Sequence, residues 1–306
     1  MALSRAITLV ESTLATDQML AQEVLAQVLP AAGGALRVGI TGVPGVGKST
    51  FIEALGLFLV DKMGKKLAVL AVDPSSPRSG GSILGDKTRM PQLAAHERAF
   101  IRPSPAGGSL GGVARATREA LLLCEAAGHD VIFVETVGVG QSETTVHGLV
   151  DFFLLLMLAG AGDELQGLKR GIMEMADALL ITKADGANAP AAARARQDYQ
   201  NALHLFPPAA SGWAVPVRTC SALSGEGLHE VWEMLQAYAN HAQNTGFWQQ
   251  RRQRQQLQWL HQSIRQALEA RFYESAAVRA QLPALEAQVA AGQLTPAAAA
   301  QLLLGT

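Results

Sequence analysis

The sequence predicts an α/β protein built on a doubly wound, mostly parallel sheet, with helical segments at both ends of the chain. Short apolar runs alternate with helical stretches, and the runs are continuous, as in strands that are covered on both faces. The apolar runs span residues 36–41, 67–72, 131–136, 152–158, 178–182 and 215–219. The helical stretches between them include 49–62, 113–127 and 189–205. Ligands of such sheets bind beyond the carboxyl ends of the strands, so the residues that follow each run are candidates for the site.

Two helical segments flank this core. Residues 1–34 carry apolar side chains at helical spacing and predict an N-terminal helical extension to a central domain at 35–242. Residues 243–306 predict a helical arm, which is expected to break at Gly292 and Pro296 into two short helices over 283–306. A narrow apolar seam along the arm has the 3-4-4 spacing of helix contacts and consists of Leu257, Leu260, Ile264 and Leu268.

The composition excludes several classes of protein. With 306 residues and 49% apolar side chains, the chain can bury a core and is not disordered. The chain has 25 basic and 26 acidic side chains, so its net charge is close to zero. The protein therefore has no overall positive potential that would attract a polyanion, and any anion must be bound locally. The apolar stretch at 152–162 is shorter than the roughly 20 residues of a membrane span. Cys124 and Cys220 form no metal or disulfide pattern, and no secretory signal is visible, so we expect a cytoplasmic protein.

A phosphate-binding motif follows the first predicted strand. Residues 42–49 read Gly-Val-Pro-Gly-Val-Gly-Lys-Ser and match G-x-x-x-x-G-K-[ST]. The backbone amides of this loop would converge on a phosphate, Lys48 would add a point charge for the β- and γ-phosphates, and Ser49 would place its hydroxyl on Mg²⁺. The predicted phosphate-binding residues are Gly42, Val43, Gly45, Val46, Gly47, Lys48, Ser49 and Thr50.

Two tetrapeptides at later strand ends indicate that the base is guanine. In Thr-Lys-Ala-Asp at 182–185, Asp185 can accept from N1–H and the exocyclic amine of guanine, and Lys183 can lay its stem on the ring. In Cys-Ser-Ala-Leu at 220–223, the N–H of Ala222 is placed to bond guanine O6, with Ser221 and Leu223 beside it. Asp185 alone could equally be a turn or helix-cap residue. Leaving its carboxylate unpaired against adenine favours GTP over ATP by about tenfold or more.

Three carboxylates after strand ends or in the following loops are candidate magnesium partners. They are Asp73, Asp86 and Glu135, acting directly or through water, since Mg²⁺ usually takes only one or two protein ligands beside phosphates. Asp86 could instead be a solvated loop acid. Glu135 stands where nucleotide switches usually carry Asp, and we expect Lys48, Asp86 and Glu135 to serve hydrolysis.

The residue that orients the attacking water is unusual. Val139 occupies the position where many G-proteins have glutamine, and Gln141, two positions on, could serve only after a rearrangement. We therefore expect slow intrinsic hydrolysis that depends on a partner to order these loops.

Four motifs together resemble the MeaB-like GTPases: Gly-Val-Pro-Gly-Val-Gly-Lys-Ser-Thr at 42–50, Val-Asp-Pro-Ser-Ser-Pro at 72–77, Arg-Ala-Phe-Ile-Arg-Pro-Ser-Pro at 98–105 and Glu-Thr-Val-Gly-Val-Gly-Gln-Ser-Glu at 135–143. The resemblance covers essentially the whole chain. Residues 162–172 look like the third switch loop of that family, with Gln166, Lys169 and Arg170 as candidate switch residues. The two basic residues could alternatively form a surface ion-pair cluster with Asp163 and Glu164.

The resemblance implies a chaperone of adenosylcobalamin-dependent acyl-CoA mutases, in which GTP hydrolysis gates cobalamin loading and removal of damaged cofactor. It also implies a homodimer held through the C-terminal arm. The chain lacks Asp-x-His-x-x-Gly, so we expect cobalamin to be handled through the partner mutase. Thr182 departs from the Asn that is commoner among G-proteins, and we expect this change to weaken one tie to the phosphate loop.

Two other functions compete with this interpretation. A P-loop kinase or transport-associated ATPase would need an acceptor pocket and no guanine recognition. A nucleic-acid adaptor is suggested by arginines and tryptophans of the arm, but arginines interspersed with glutamines are more often the solvated face of a helix. We expect no nucleic-acid and no membrane partner.

Overall fold

A computed structural model describes residues 2–72, 89–103, 110–136, 142–160 and 170–305. Its centre is a seven-stranded sheet in which every pairing is parallel and the strand order is β3-β2-β4-β1-β5-β6-β7. The strands are β1 (Leu36–Gly42), β2 (Leu67–Val72), β3 (Ala99–Arg102), β4 (Val131–Thr136), β5 (Phe152–Leu158), β6 (Ala178–Thr182) and β7 (Val217–Thr219). The predicted doubly wound parallel class is confirmed.

Twelve α-helices precede, connect or follow these strands along the described part of the chain. In the first half of the chain they are α1 (Ala2–Glu11), α2 (Ala15–Val28), α3 (Lys48–Leu57), α4 (Pro91–Ala95), α5 (Leu110–Ala126) and α6 (Ser142–His147). In the second half they are α7 (Arg170–Met175), α8 (Ala189–Leu203), α9 (Leu228–Asn244), α10 (Phe247–Glu274), α11 (Ala276–Ala290) and α12 (Pro296–Leu304). A π-helical turn, Phe58–Lys62, extends α3, so the predicted helix at 49–62 is continuous.

Six of the seven strands lie in the predicted apolar runs, whereas β3 was not predicted. This strand has four residues, lies at the edge of the sheet beside β2, and only Ile101 in it is fully buried. A short, half-exposed edge strand lacks the continuous apolar run that identified the others.

The core fills both faces of the sheet. On one face, Val38 and Ile40 of β1 pack with Phe51 of α3 and Trp232 of α9. On the other, side chains of β5, β6 and β7 pack against α8 through residues such as Tyr199. Contact between sheet and helix is so close at Gly39 that a Cβ there would lie 2.9 Å from Val146 of α6 and 2.9 Å from Phe153. The absence of a side chain at Gly39 therefore allows α6 to pack closely on the sheet.

A buried ionic cluster lies at the amino ends of β1 and β5, and we call it the base network (Arg37, Glu125, Asp151 and Arg252). Arg37 donates to both oxygens of Glu125 at 2.9 and 2.8 Å. Arg252 donates to Asp151 and also to the backbone carbonyls of Gly33 and Ala35, each at 2.7 Å. Trp248 stacks beside the same guanidinium, 4.6 Å from its carbon to the ring centroid. The network occupies the edge of the sheet opposite to the carboxyl ends of the strands.

The chain divides into two compact units, Met1–Arg252 and Gln253–Thr306. In the second unit, α11 and α12 pack together around the buried side chains Val278, Ala299 and Leu303. The apolar seam on α10 is exposed: Leu257, Leu260, Ile264 and Leu268 keep between 46% and 60% of their surface accessible. The division into 1–34, 35–242 and 243–306 stays a prediction.

The expected helix start at Pro283 is wrong, because α11 begins at Ala276 and carries Pro283 in its interior. The expected break near Gly292 and Pro296 is present between α11 and α12. Among the residues that the structure describes, none of the helices has the length and apolar character that crossing a bilayer requires.

Candidate phosphate and guanine site

The phosphate loop lies between β1 and α3, at the carboxyl edge of the sheet. Gly42 ends β1 where a Cβ would stand 2.6 Å from the carbonyl oxygen of Leu156, so only glycine fits against the neighbouring strand. Gly47 has a φ of +94° directly before α3, in the left-handed region that glycine adopts without strain. Because of these two positions, the loop reaches the N-terminus of α3 as the motif requires.

Lys48 and Ser49 project from the first turn of α3 into this loop. The ammonium of Lys48 donates to the carbonyl of Gly42 at 2.8 Å and to that of Val43 at 3.4 Å. Burial lowers the pKa of Lys48, the negative charges of Glu135 and Glu143 act in the opposite direction, and Arg89 adds to the lowering. Lys48 is thus held within its own loop, where a phosphate would displace it from the carbonyls.

Ser49 and Glu135 come together as the magnesium prediction requires. The Ser49 hydroxyl donates to Oε1 of Glu135 at 3.1 Å, and Glu135 is 3% exposed at the end of β4. Hydroxyl and carboxylate oxygens are the donors that Mg²⁺ prefers, so these two residues fit the ion. Within the described ranges no cluster of three or more His, Cys, Asp or Glu could hold a metal alone, and phosphate oxygens would complete the shell.

Two of the predicted guanine-binding residues also lie together. The hydroxyl of Ser221, after β7, hydrogen-bonds Oδ2 of Asp185, after β6. Ser221 Oγ also accepts from the N–H groups of Leu223 and Ser224, at 3.2 and 3.1 Å, which orders the loop. Among the described residues the N–H of Ala222 has no partner, so it is available to a ligand. Leu223 is 84% exposed.

Two hydrogen bonds join the segment at 182–185, the predicted guanine loop, to the phosphate loop. The Thr182 hydroxyl, buried at the end of β6, donates to the carbonyl of Val46 at 2.8 Å, with Met157 O further away at 3.2 Å. Lys183 donates from Nζ to the carbonyl of Gly45 at 2.9 Å. The Thr182 hydroxyl therefore bonds the phosphate loop, and the expectation that this connection is weaker than one made by Asn stays a prediction.

Lys183 is the only non-glycine residue with positive φ in the described part of the chain, at +55°. The side-chain amide of Asn188 donates to its carbonyl at 2.6 Å and supports this conformation. Side chains in the left-handed region are uncommon and are concentrated at functional sites. The strained residue here is one of the three with a predicted contact to the base.

A groove of about 780 Å³ borders this loop, lined by β7, α8 and α9 and reaching Ser221. Neither Lys48 nor Asp185 lines it. Of the predicted phosphate- and guanine-binding residues, Ser221 alone lines this groove.

Sequence reasoning missed three residues near the site. Glu143, in the first turn of α6, is 3% exposed and acts electrostatically on Lys48, as does the exposed Arg89. Thr136 donates to Thr41 at 2.9 Å and joins the carboxyl ends of β4 and β1. The signal for Glu143 was its place at the end of the 135–143 motif, one helical turn before the apolar Val146.

Several predicted residues lie outside the described residues. These are Asp73, Asp86, Gln141, Gln166 and Lys169. Arg170 begins α7, and its side chain also lies outside the described part. Their roles in metal binding, water positioning and the third switch loop stay predictions.

The comparisons with known proteins agree with this geometry. The family model "Methylmalonyl Co-A mutase-associated GTPase MeaB" matches residues 3–277. A "Putative GTPase" of Caulobacter vibrioides is 54% identical over 303 residues, which cover 99% of this chain and 92% of that protein. "Methylmalonic aciduria type A homolog, mitochondrial" of Mus musculus is 46% identical over 99% of this chain and 75% of its own length.

A solved structure, "Crystal structure of LAO/AO transport system kinase", superposes with a TM-score of 0.75 at 39% identity, over 99% of this chain and 91% of that one. The family match spans the GTP-binding motifs and both site loops described above. The chain therefore belongs to the MeaB family of GTP-hydrolysing P-loop proteins.

Proposed function

We propose that this GTPase is a chaperone of an adenosylcobalamin-dependent acyl-CoA mutase, and that GTP hydrolysis gates cobalamin loading and the removal of damaged cofactor. One observation carries the proposal: a phosphate loop, a hydroxyl–carboxylate pair and a guanine-reading pair meet at one sheet edge in a family described as mutase-associated. The name of the mouse relative points to the same metabolic context.

Each part of the site has its own role in binding the nucleotide and the magnesium ion. Loop amides from Gly42 to Thr50 bind the phosphates, Lys48 neutralises charge on the β- and γ-phosphates, and Asp185 with Ala222 N–H reads the base. Ser49 and Glu135 would hold Mg²⁺, with Asp73 and Asp86 as further partners, and the ion would stabilise charge on the phosphates. Loss of the γ-phosphate releases the segments that carry these acids, and the mutase senses the change.

Three further parts of the proposal follow from the resemblance and the sequence. Hydrolysis is slow in the isolated protein, because Gln141 needs a partner to place it against the attacking water. Gln166, Lys169 and Arg170 couple the third switch loop to that partner. The protein works in the cytoplasm as a homodimer formed through the seam on α10, and it handles cobalamin only through the mutase.

Calorimetry with GDP and ADP tests the guanine site. We expect GDP to bind at least about tenfold more tightly than ADP, because adenine leaves the Asp185 carboxylate unpaired. Lys48→Ala should abolish nucleotide binding or hydrolysis with the fold intact, whereas Lys62→Ala, an exposed lysine past α3, should change neither. Equal affinity for GDP and ADP would contradict the GTPase assignment of this site.

Cofactor transfer tests the chaperone role. Purified apo-mutase is mixed with adenosylcobalamin and this protein in GTP, GDP or no nucleotide, and holoenzyme formation is followed by absorbance. Loading that depends on the nucleotide state, and loses that dependence with Lys48→Ala, supports the proposal. Loading that is identical in all three conditions contradicts it.

A P-loop kinase or transport-associated ATPase remains the second candidate, because the solved relative is titled a transport system kinase. A kinase needs phosphate transfer to a second substrate, whereas an ATPase needs ATP in place of GTP. Formation of inorganic phosphate in full proportion to the GTP consumed would decide against the kinase, and tighter binding of GDP than of ADP would decide against the ATPase.

A further inference from the structure

Asn188 lies directly before α8 and three residues after Asp185, at the end of a short 3₁₀ turn (Gly186–Asn188). It occupies the N-cap position of the helix, where an asparagine side chain usually accepts a hydrogen bond from a backbone N–H of the first turn. In the described part of the chain, the Asn188 side chain makes no such bond. Its amide instead donates to the carbonyl of Lys183 at 2.6 Å. The side chain therefore supports the guanine loop and not its own helix.

The backbone of Asn188 holds the same loop at a second point. Its N–H donates to the carbonyl of Asp185 at 3.0 Å, so this one residue bonds the carbonyls on both sides of Ala184. The N–H of Ala184 itself donates to the carbonyl of Cys220 at 3.1 Å. Three hydrogen bonds therefore hold the backbone from Lys183 to Asp185, and this backbone determines the direction in which the Asp185 side chain leaves the loop.

Lys183 needs this support because its backbone has a φ of +55°. A residue with a side chain is disfavoured in the left-handed region and stays there only when its surroundings hold it. The bond from Lys183 Nζ to the carbonyl of Gly45 lies at the far end of a flexible side chain, so it does not fix the backbone. The 2.6 Å bond from Asn188 acts on the peptide group between Lys183 and Ala184. Without it, we expect this peptide group to turn toward a commoner conformation.

We infer that Asn188 is a positioning residue that sharpens guanine specificity by holding the guanine loop in its left-handed conformation. Two hydrogen bonds from N1–H and the exocyclic amine of guanine require a carboxylate whose position and plane are both fixed. The Ser221 hydroxyl bonds the Asp185 carboxylate itself, and Asn188 holds the backbone that carries it. The inference rests on the proposed guanine contact of Asp185 and adds to it a residue outside the Thr-Lys-Ala-Asp motif at 182–185.

The test compares two nucleotides that differ only in the exocyclic amine, GDP and inosine diphosphate. Calorimetry gives both affinities for the wild type, Asn188→Ala and Asn188→Asp, and their ratio measures how well Asp185 meets the amine. We expect the wild type to prefer GDP by about tenfold or more. Asn188→Ala should reduce this ratio by about fivefold, the effect of one lost hydrogen bond. Asn188→Asp keeps the size of the side chain but offers the Lys183 carbonyl no donor, so it should reduce the ratio at least as much.

Asn201→Ala is the matched control, because Asn201 is an exposed asparagine further along α8 that hydrogen-bonds Gln197 of the same helix. Its ratio should equal that of the wild type. If Asn188→Ala does not fold, Asn188→Asp carries the test, since aspartate is well tolerated at the start of a helix. An unchanged ratio, even with both affinities lowered, would overturn the inference, because a residue that only stabilises α8 does not discriminate between the two bases. A wild type that bound both nucleotides equally would overturn the proposed guanine contact itself.

Discussion

The guanidinium of Arg252 donates hydrogen bonds to both carboxylate oxygens of Asp151, from Nε at 2.7 Å and from Nη2 at 2.6 Å. Asp151 in turn accepts from the backbone N–H of Arg37 at 2.9 Å, at the start of β1. The side chains of Arg252 and Asp151 are 12% and 3% exposed. One residue at the start of α10 therefore fixes the amino end of the central strand.

Arg252→Ala should lower the free energy of unfolding by about 3–5 kcal/mol, because it leaves the Asp151 carboxylate buried without its cation. Urea denaturation followed by circular dichroism measures the change. Arg254→Ala, two residues further along the same helix and exposed, should stay within about 0.5 kcal/mol of the wild type. A loss below 1 kcal/mol for Arg252→Ala would show that the base network contributes little.

Asp185→Asn should change which base the protein selects. The amide presents a donor where the carboxylate accepted, so it pairs poorly with the guanine amine and well with the O2 carbonyl of xanthine. We expect GDP affinity to fall by at least about tenfold and xanthosine diphosphate to become the tighter ligand. Competition calorimetry with the two nucleotides measures this, and unchanged preference for GDP would remove Asp185 from the site.

Thr182→Val should weaken the connection between the two loops. Valine has the shape of threonine but leaves the buried carbonyl of Val46 without its donor, at a cost of about 1–3 kcal/mol. GDP affinity should fall together with stability, and Thr182→Ser should restore both. If Thr182→Val bound GDP as tightly as the wild type, the tie would have no role in nucleotide binding.

Leu260→Glu should prevent formation of the proposed homodimer. A charge in the middle of the exposed seam on α10 opposes apolar pairing of two arms, and the position is already 54% exposed, so the fold should persist. Light scattering after gel filtration reports the mass. Gln262→Glu adds the same charge on the same helix outside the seam and should leave the oligomeric state unchanged; equal masses for wild type and Leu260→Glu would rule out this interface.

Stability should fall on mild acidification because of His147. Burial lowers its pKa to about 4, and the charge of Arg251 adds to the lowering, so the folded protein keeps this imidazole neutral. An unfolded chain takes up the proton near pH 6.5, so stability that is present above that pH is lost as the pH falls toward 4. Denaturation midpoints at pH 7.5 and 5 should differ more in the wild type than in His147→Gln.

The strands and the phosphate loop could be predicted from the sequence because each has a pattern with a direct physical cause. Continuous apolar runs identified six strands, and the phosphate loop was placed because its glycines, Lys48 and Ser49 have a fixed order along the chain. The missing strand β3 is short and half exposed, so its pattern does not differ from that of a loop. The two short helices were expected over 283–306, yet the first of them, α11, begins at Ala276 and continues through Pro283.

Most contacts between residues far apart in the chain could not be predicted from the sequence. Asp151 and Arg252 are 101 positions apart, and the sequence around each residue gives no sign that the two form an ion pair. Glu143 was visible as the last residue of a motif, but its closeness to Lys48 depends on how α6 rests against Gly39. Pairing of Ser221 with Asp185 was within reach because both follow strands whose carboxyl ends share an edge.

The hydrogen bonds from Thr182 to Val46 and from Lys183 to Gly45 have a thermodynamic consequence for ligand fragments. If guanosine and pyrophosphate are added as separate molecules, each binds a loop that is hydrogen-bonded to the loop that binds the other. Ordering of one loop by its ligand should therefore help to order the second loop. Their binding free energies should therefore be non-additive, and either fragment should increase the affinity for the other even though no covalent bond joins them.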